Sequence, residues 1–283
     1  MSEILVSVYG HRPDAVPRLV IIDTDTLAAR EAPFAVPAGF QRCMGLSADG
    51  GRIHVLAVAA DDRSSLVALD RAGEHEPLVT PLPGVMDGHS VLASGGDLYA
   101  VSSGTNELVH FPLSGGRPDT GGRRVEWRAA EARHDTHHAN SLLRLEGSLL
   151  VSAFGESPTG SLRDAHDGYI VDVTGGRPAI TGVSQPHSLT ERGGLLYYCE
   201  SGRRRFCSEK GPVITLSGYV RGACWLSDDV VCLGTSSGRV RGERSRYETE
   251  ECAVWIVDAA RGSVIARVPM AGFGPEIYDI VAL

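Results

Sequence analysis

The chain of 283 residues is 42% hydrophobic with a formal net charge of −8, which supplies a sizeable core and argues against a general nucleic-acid binder. No apolar run approaches the roughly 20 residues that span a bilayer, and the N-terminus lacks a basic region leading into an apolar core and a cleavage site. A soluble, cytoplasmic protein with no membrane and no nucleic-acid partner is expected. The six cysteines (Cys43, Cys199, Cys207, Cys224, Cys232, Cys252) have neither CxxC spacing nor disulfide-scaffold density, and buried reduced thiols agree with that compartment.

From the N-terminus, MSEILVSVYG (1–10) reads as a strand and PRLVIIDTDTL (17–27) as an apolar strand running into a polar turn, followed by a short strand in APFAVPAG (32–39). MGLSADGGRIHVLAVAA (44–60) is two short strands around a tight turn. Its relatives are GHSVLASGGDLYAVSSG (88–104), ANSLLRLEGSLLVSAFG (139–155) and QPHSLTERGGLLYYCESG (185–202); RGACWLSDDVVCLGTSSG (221–238) keeps the spacing without the polar opening. After each comes a third strand (SSLVALDRAG, NELVHFPLSGG, DGYIVDVTGG, RRRFCSEKG, CAVWIVDAARG) and a fourth (EPLVTPLPG, RVEWRAAE, RPAITGVS, PVITLSG, SVIARVPMAG). The C-terminal DIVAL (279–283) joined to MSEILVSVYG aligns without gaps on SLLRLEGSLLVSAFG (141–155), so one copy is split between the two ends. Six four-stranded units without helical periodicity predict an all-β, six-bladed β-propeller in a single domain, 1–283. The C-terminal innermost strand closes the ring against the N-terminal strands of the same blade.

Two loops depart from the short pattern. GESPTGSLRDAHDG (155–168) and SSGRVRGERSRYETEE (236–251) are long and polar, and the strand count puts both on the face that carries the polar openings, as candidate lids. GGRPDTGGRR (115–124) falls on the opposite face and reads as a solvated turn.

The segment CAVWIVDAARGSVIARVPMAGFGPEIYDIVAL, together with QPHSLTERGGLLYYCESG, resembles an uncharacterised family of bacterial propeller-like proteins. In that family an innermost strand opening with Pro-His-Ser and a terminal Glu-Ile-Tyr-Asp recur. The resemblance implies the propeller and no assigned reaction. At the level of fold the chain is also similar to the gluconolactonase, paraoxonase and strictosidine synthase group, whose site is a metal in the central channel held by carboxylates and asparagine. This sequence offers histidines in their place.

Innermost strands converge on the propeller axis, so equivalent positions at their starts form rings around the channel mouth. The aligned copies give one ring of Arg42, Asp87, His138, Gln185, Val220 and Glu276, and a second of Met44, His89, Asn140, His187, Gly222 and Tyr278, with His137 and Arg221 alongside. Three of the ten histidines fall in these rings, which is the main functional signal. Two readings stand. In one, the polar groups satisfy one another as a structural plug. In the other, His89, His138 and His187 with Glu276 or Asp87 hold a divalent metal, since neutral imidazole and carboxylate are common ligands of first-row metals.

The expected function is an enzyme acting on a small polar, anionic molecule at the mouth, as a metal-assisted lyase, hydrolase or isomerase. The metal would polarise an oxygen, and a histidine outside its coordination sphere, or Tyr278, would move the proton. His89, His187, Tyr278, Glu276 and Arg221 are the candidate catalytic residues. Arg42, Asp87, His137, Asn140 and Gln185 are the candidate substrate contacts. The alternative is a noncatalytic propeller binding a ligand or partner protein, which exposed aromatics on the top loops would favour; Tyr247 is the clearest of the few present.

Ser90, Ser141 and Ser188 follow the ring residues and read as hydrogen-bonding links between blades rather than nucleophiles. Cys43 and Cys224 read as small core residues. The arginines at 203–205, 239, 241, 244 and 246 either attract an anion or form a solvated face with Glu243, Glu248, Glu250 and Glu251. No helix follows the Gly-rich turns, so they are not phosphate loops.

Overall fold

The computed structural model describes residues 3–9, 17–34, 36–49, 51–73, 75–157, 159–237 and 251–283. Among them are six antiparallel sheets and no α-helix, only four three-residue 3-10 turns. Five sheets run in chain order from the axis outward. They start with Phe40–Asp49, Gly88–Ser94, Ala139–Leu145, Pro186–Arg192 and Tyr219–Trp225. The remaining sheet takes its inner strand, Glu276–Ala282, from the end of the chain and sets it against Glu3–Tyr9, Arg18–Asp23 and Ala29–Glu31. The inner strands contact one another in a closed cycle. This is the six-bladed propeller with the split blade that the repeats predict.

Burial explains why the strands read as they do. A blade packs face to face between two neighbours, so its second strand is buried on both sides: Arg52–Ala59 is buried at six consecutive positions, and RIHVLAVA accordingly is apolar at all of them but His54 rather than alternating. Outer strands meet water, and Ser263–Pro269 exposes Val264 and Ile265. The core is a set of wedges between adjacent blades. The wedge at the split blade joins Ile4, Val6, Val20 and Ile22 to Cys232, Val254 and Ile256 of the preceding blade, with Ile277 and Ile280 of the closing strand between them.

The closing pairing runs from Ile4 opposite Ala282 to Tyr9 opposite Glu276, with a bulge at Ser7 and Val8. Two expectations are corrected. The fourth strand of this blade is Ala29–Glu31 instead of a segment within 32–39, where Pro33 and Pro37 lack the amide a ladder needs. The segment 115–124 is more than a solvated turn: Arg117–Pro118 pairs with the third strand, Pro118 is buried, and Arg123 binds Pro83 O at 2.8 Å. Loop 155–168 lies on the predicted face, since Gly155 N donates to His137 O and Gln185 Nε2 donates to Leu162 O. Residues 238–250 of the other long loop lie outside the described residues.

Candidate functional site: the channel mouth

Three inner strands open with the same device. Asp87, His138 and Gln185 adopt left-handed φ values of 46°, 49° and 52°, an uncommon conformation for residues other than glycine. Two positions on, a side chain folds back on the carbonyl of that residue. His89 Nδ1 donates to Asp87 O at 2.8 Å, Asn140 Nδ2 to His138 O at 2.9 Å and His187 Nδ1 to Gln185 O at 3.1 Å. A carbonyl only accepts, so Nδ1 of His89 and His187 carries the proton and Nε2 is the basic nitrogen of the neutral ring.

A hydroxyl from the same blade completes each histidine clasp. Ser103 Oγ lies 2.9 Å from His89 Nδ1 and donates onward to Ala139 O of the next blade. Ser201 Oγ lies 2.9 Å from His187 Nδ1 and donates to Val220 O at 2.6 Å. Ser236 Oγ reaches Ile277 O at 3.3 Å in the same manner. The residues after these carbonyls, Asn140, Arg221 and Tyr278, therefore share one ring position. Arg221, and not Gly222, supplies the second ring in its blade, so the sequence alignment slips there by one residue. Its guanidinium sits 3.9 Å over the Tyr278 ring.

The first ring forms a connected charged array. Arg42 Nη1 binds Asp87 Oδ1 at 2.7 Å, and its Nη2 binds the Asp62 carboxylate. Burial works against the charge of Arg42, but Asp87, Tyr278 and Asp62 more than offset it and hold the guanidinium above its usual range. Burial pushes the Asp87 carboxyl up despite the pull of Arg42 and His138, and the neighbouring Asp62 and Asp135 charges act the same way as burial. Asp135 caps the turn into the strand: its carboxylate accepts from His138 N at 2.8 Å and meets His138 Nδ1 at 2.6 Å. His138 stands edge-on to His89 with ring centroids 4.5 Å apart. The side chains of Arg42, Asp87 and Asp135 keep 20%, 21% and 19% exposure, whereas His89 and His138 are each 6% exposed and His187 2%. Partly solvated charges thus lie beside buried imidazoles.

The expected four-ligand metal centre is not formed. Phe154 stands between two of its histidines, 4.5 Å from the His138 ring and 5.0 Å from the His187 ring. Among the described residues no group of three or more His, Cys, Asp or Glu side chains is disposed to hold a metal ion. Phe154 occupies the place that Ser103 and Ser201 hold in other blades, just before a glycine. The expected substrate contact His137 has its Nδ1 3.0 Å from Thr136 Oγ1 and its ring 6.4 Å from Tyr169. Glu276 is buried at 1% exposure. Gln185 Oε1 accepts from Tyr219 Oη at 3.1 Å, and Tyr219 packs against His187. Arg203 and Arg205 are drawn to the buried Glu200, at 2.5 and 2.6 Å. Arg239, Arg241, Arg244, Arg246 and Tyr247 lie outside the described residues.

Sequence reasoning passed over Asp62, Asp135, Phe154, Tyr219, Ser103 and Ser201. The two serines were readable, since each precedes the glycine that ends its repeat. Asp135 was readable as a capping residue three positions before His138. Ser141 and Ser188 take the linking role expected of them: Ser141 Oγ accepts from Leu189 N at 2.9 Å and Ser188 Oγ from Gly222 N at 2.7 Å, each across a blade boundary. The six cysteines are free and buried.

Fold and mouth together define a six-bladed propeller whose axis opens on a ring of histidine, carboxylate and arginine. Residues 126–283 match the family described as a domain of unknown function, DUF4915. The chain belongs to that family. A search of curated protein sequences gives no match. Among solved structures, one chain of a nidogen/laminin complex superposes with a TM-score of 0.71 at 11% identity, covering 100% of this chain and 98% of that one. A luciferin-regenerating enzyme gives 0.59 at 11% identity over 80% and 76% of the two chains. A calcium-binding protein, regucalcin, from Agrobacterium tumefaciens gives 0.58 at 16% identity over 82% and 75%. At these identities the likeness is one of fold.

Proposed function

We propose that the mouth binds a small polar molecule and moves a proton on it, with His138 as the acid–base group and Asp135 as the residue that orients it. The observation that carries this reading is the 2.6 Å contact of the Asp135 carboxylate with His138 Nδ1, beside His89. A carboxylate on one imidazole nitrogen fixes the ring and stabilises the imidazolium that forms when the other nitrogen takes a proton. His89, clasped through Nδ1, adds a second basic nitrogen next to it. Proton abstraction or return at one carbon or oxygen of the ligand suits a lyase, isomerase or hydrolase. No step is assigned to a metal, because the side chains do not assemble the ligand set. Arg42, Arg203 and Arg205 are engaged by carboxylates, so the reading does not depend on an anionic ligand. A cytoplasmic setting is part of it, supported by six free thiols.

A noncatalytic ligand-binding propeller is the second reading. The observation in its favour is that His89, Asn140 and His187 are each bonded to a strand carbonyl, as a structural plug would be. The test is a thermal-shift screen against small carboxylates, sugars and amines, followed by turnover of the hits. A ligand at about 100 times its Kd stabilises by about 2.7 kcal/mol. Under the catalytic reading, turnover of such a hit falls at least about a hundredfold in His138→Gln and drops in Asp135→Asn. Binding lost in His138→Gln with no turnover of any hit by the parent protein supports the second reading. Binding and turnover both unchanged in the two variants refute this site.

A further inference from the structure

The charged array of the mouth leaves acceptors open and its guanidinium engaged. Arg42 turns both terminal nitrogens onto carboxylates, Nη1 to Asp87 Oδ1 at 2.7 Å and Nη2 to Asp62 Oδ1. Each carboxylate thereby engages one oxygen. Among the described residues, Oδ2 of Asp62 and Oδ2 of Asp87 make no hydrogen bond, the approach of Asp87 Oδ2 to His89 Nδ1 being 3.9 Å. His138 supplies a third open acceptor in its neutral form. Its side chain is 8% exposed, Nδ1 is held by Asp135 at 2.6 Å, and Nε2 has no hydrogen-bond partner among the described residues. Three carboxylates, those of Asp62, Asp87 and Asp135, thus stand around one guanidinium, and this array stays negative even with His138 protonated. Burial and the charges of Asp62 and Asp135 push the Asp87 carboxyl up against the pull of Arg42 and His138, as befits a carboxylate short of counter-charge. Side-chain exposure falls from 56% at Asp62 to 21% at Asp87 and 8% at His138, so the open acceptors run from the rim inward.

We propose that the mouth selects a ligand bearing a primary ammonium group, with Asp62 and Asp87 setting the charge preference and His138 Nε2 as the innermost acceptor. The inference rests on the reading that a small polar molecule binds at the mouth, and it gives that molecule a charge opposite to the one expected from the sequence. An ammonium presents three N–H donors and no acceptor, which suits two carboxylate oxygens and an imidazole nitrogen that have no donor of their own. Hydrogen bonds from an ionised donor to a carboxylate are stronger than neutral ones. An anion, by contrast, would compete with two carboxylates for Arg42.

The test is an NMR titration of the full chain at neutral pH with three probes of similar size and different charge: ethanolamine, ethylene glycol and glycolate. Ethanolamine should shift the His138 imidazole signals saturably, with a Kd at least about tenfold below those of the other two. Asp87→Asn should raise that Kd at least about tenfold and leave the response to ethylene glycol unchanged; Asp62→Asn, at a more exposed position, should raise it less. A second measurement needs no variant: added sodium chloride should weaken the binding of ethanolamine and not that of ethylene glycol. Equal affinity for the three probes, tighter binding of glycolate, or no saturable shift with ethanolamine overturns the proposal. Its failure is separable from that of the catalytic reading. Ethanolamine bound with no compound turned over upholds the charge preference and removes the acid–base role, whereas turnover of a carboxylate with no amine, lost in His138→Gln, does the reverse.

Discussion

Arg42 shows how single side chains at the mouth depend on one another. It neutralises Asp87 and Asp62 together, so Arg42→Ala leaves three carboxylates, Asp62, Asp87 and Asp135, close to one another. The expected loss is about 1–3 kcal/mol at neutral pH, allowing for partial exposure. Asp87 is already raised in the intact protein, and its contribution is lost as pH rises through its folded value. The deficit of Arg42→Ala should therefore be larger at pH 8 than at pH 5 in denaturant titrations. His187 tests the other half of the ring. His187→Ala removes the donor to Gln185 O and the partner of Ser201 Oγ, and a fall of about 1–3 kcal/mol in stability is expected. A melting temperature equal to that of the parent protein would show that the clasp contributes nothing to the fold.

Much of the mouth was legible because position in the repeat decides it. Asp87, His138 and Gln185 share a left-handed opening, and the repeat alone aligns them. What was not legible depends on local departures from the repeat. Phe154 replaces a clasping serine and separates His138 from His187, so a count of histidines per ring overstated their convergence. Asp135 precedes its repeat unit, so the repeat does not point to it.

At the scale of elements, the boundaries between inner strands are held by side-chain acceptors as well as apolar wedges. Ser188→Ala leaves the Gly222 amide without its 2.7 Å acceptor, with an expected loss of about 1–3 kcal/mol and faster exchange of that amide. Gly222 has φ 84°, and a Cβ there would meet Ile280 at 2.9 Å. Gly222→Ala should therefore cost more than Ser188→Ala, through both backbone strain and the clash with the closing strand. The one-residue slip at Arg221 has another origin: the other inner strands carry the same one-residue bulge, but the hairpin after Tyr219–Trp225 turns through three residues, 227–229, where those after Gly88–Ser94, Ala139–Leu145 and Pro186–Arg192 turn through two. Strand order was readable from apolar runs, but bulges are set by how neighbouring blades meet, and that contact is long-range.

For the whole molecule the decisive pairing is that of Glu3–Tyr9 with Glu276–Ala282. Removing residues 277–283 should abolish cooperative unfolding rather than trim a tail, as judged by calorimetry, because it exposes both the edge of Glu3–Tyr9 and the wedge around Ile277 and Ile280. A chain with its ends joined by a short linker and reopened at an exposed turn such as Gly147 should fold and melt near the parent temperature, since Leu283 N already donates to Glu3 O at 2.9 Å.

The split blade also imposes a schedule on biosynthesis. Glu3–Tyr9 is made before the other five blades, yet its inner partner follows all of them in the chain. At about 5–20 residues per second, the nascent chain carries an unpaired, apolar strand edge for roughly a quarter of a minute to most of one. The other five blades have their strands in succession and can form as they emerge. The split blade cannot, and its Ile4, Val6 and Val8 stay open to a holding chaperone, or to a neighbouring nascent chain on the same message, until the closing strand is made.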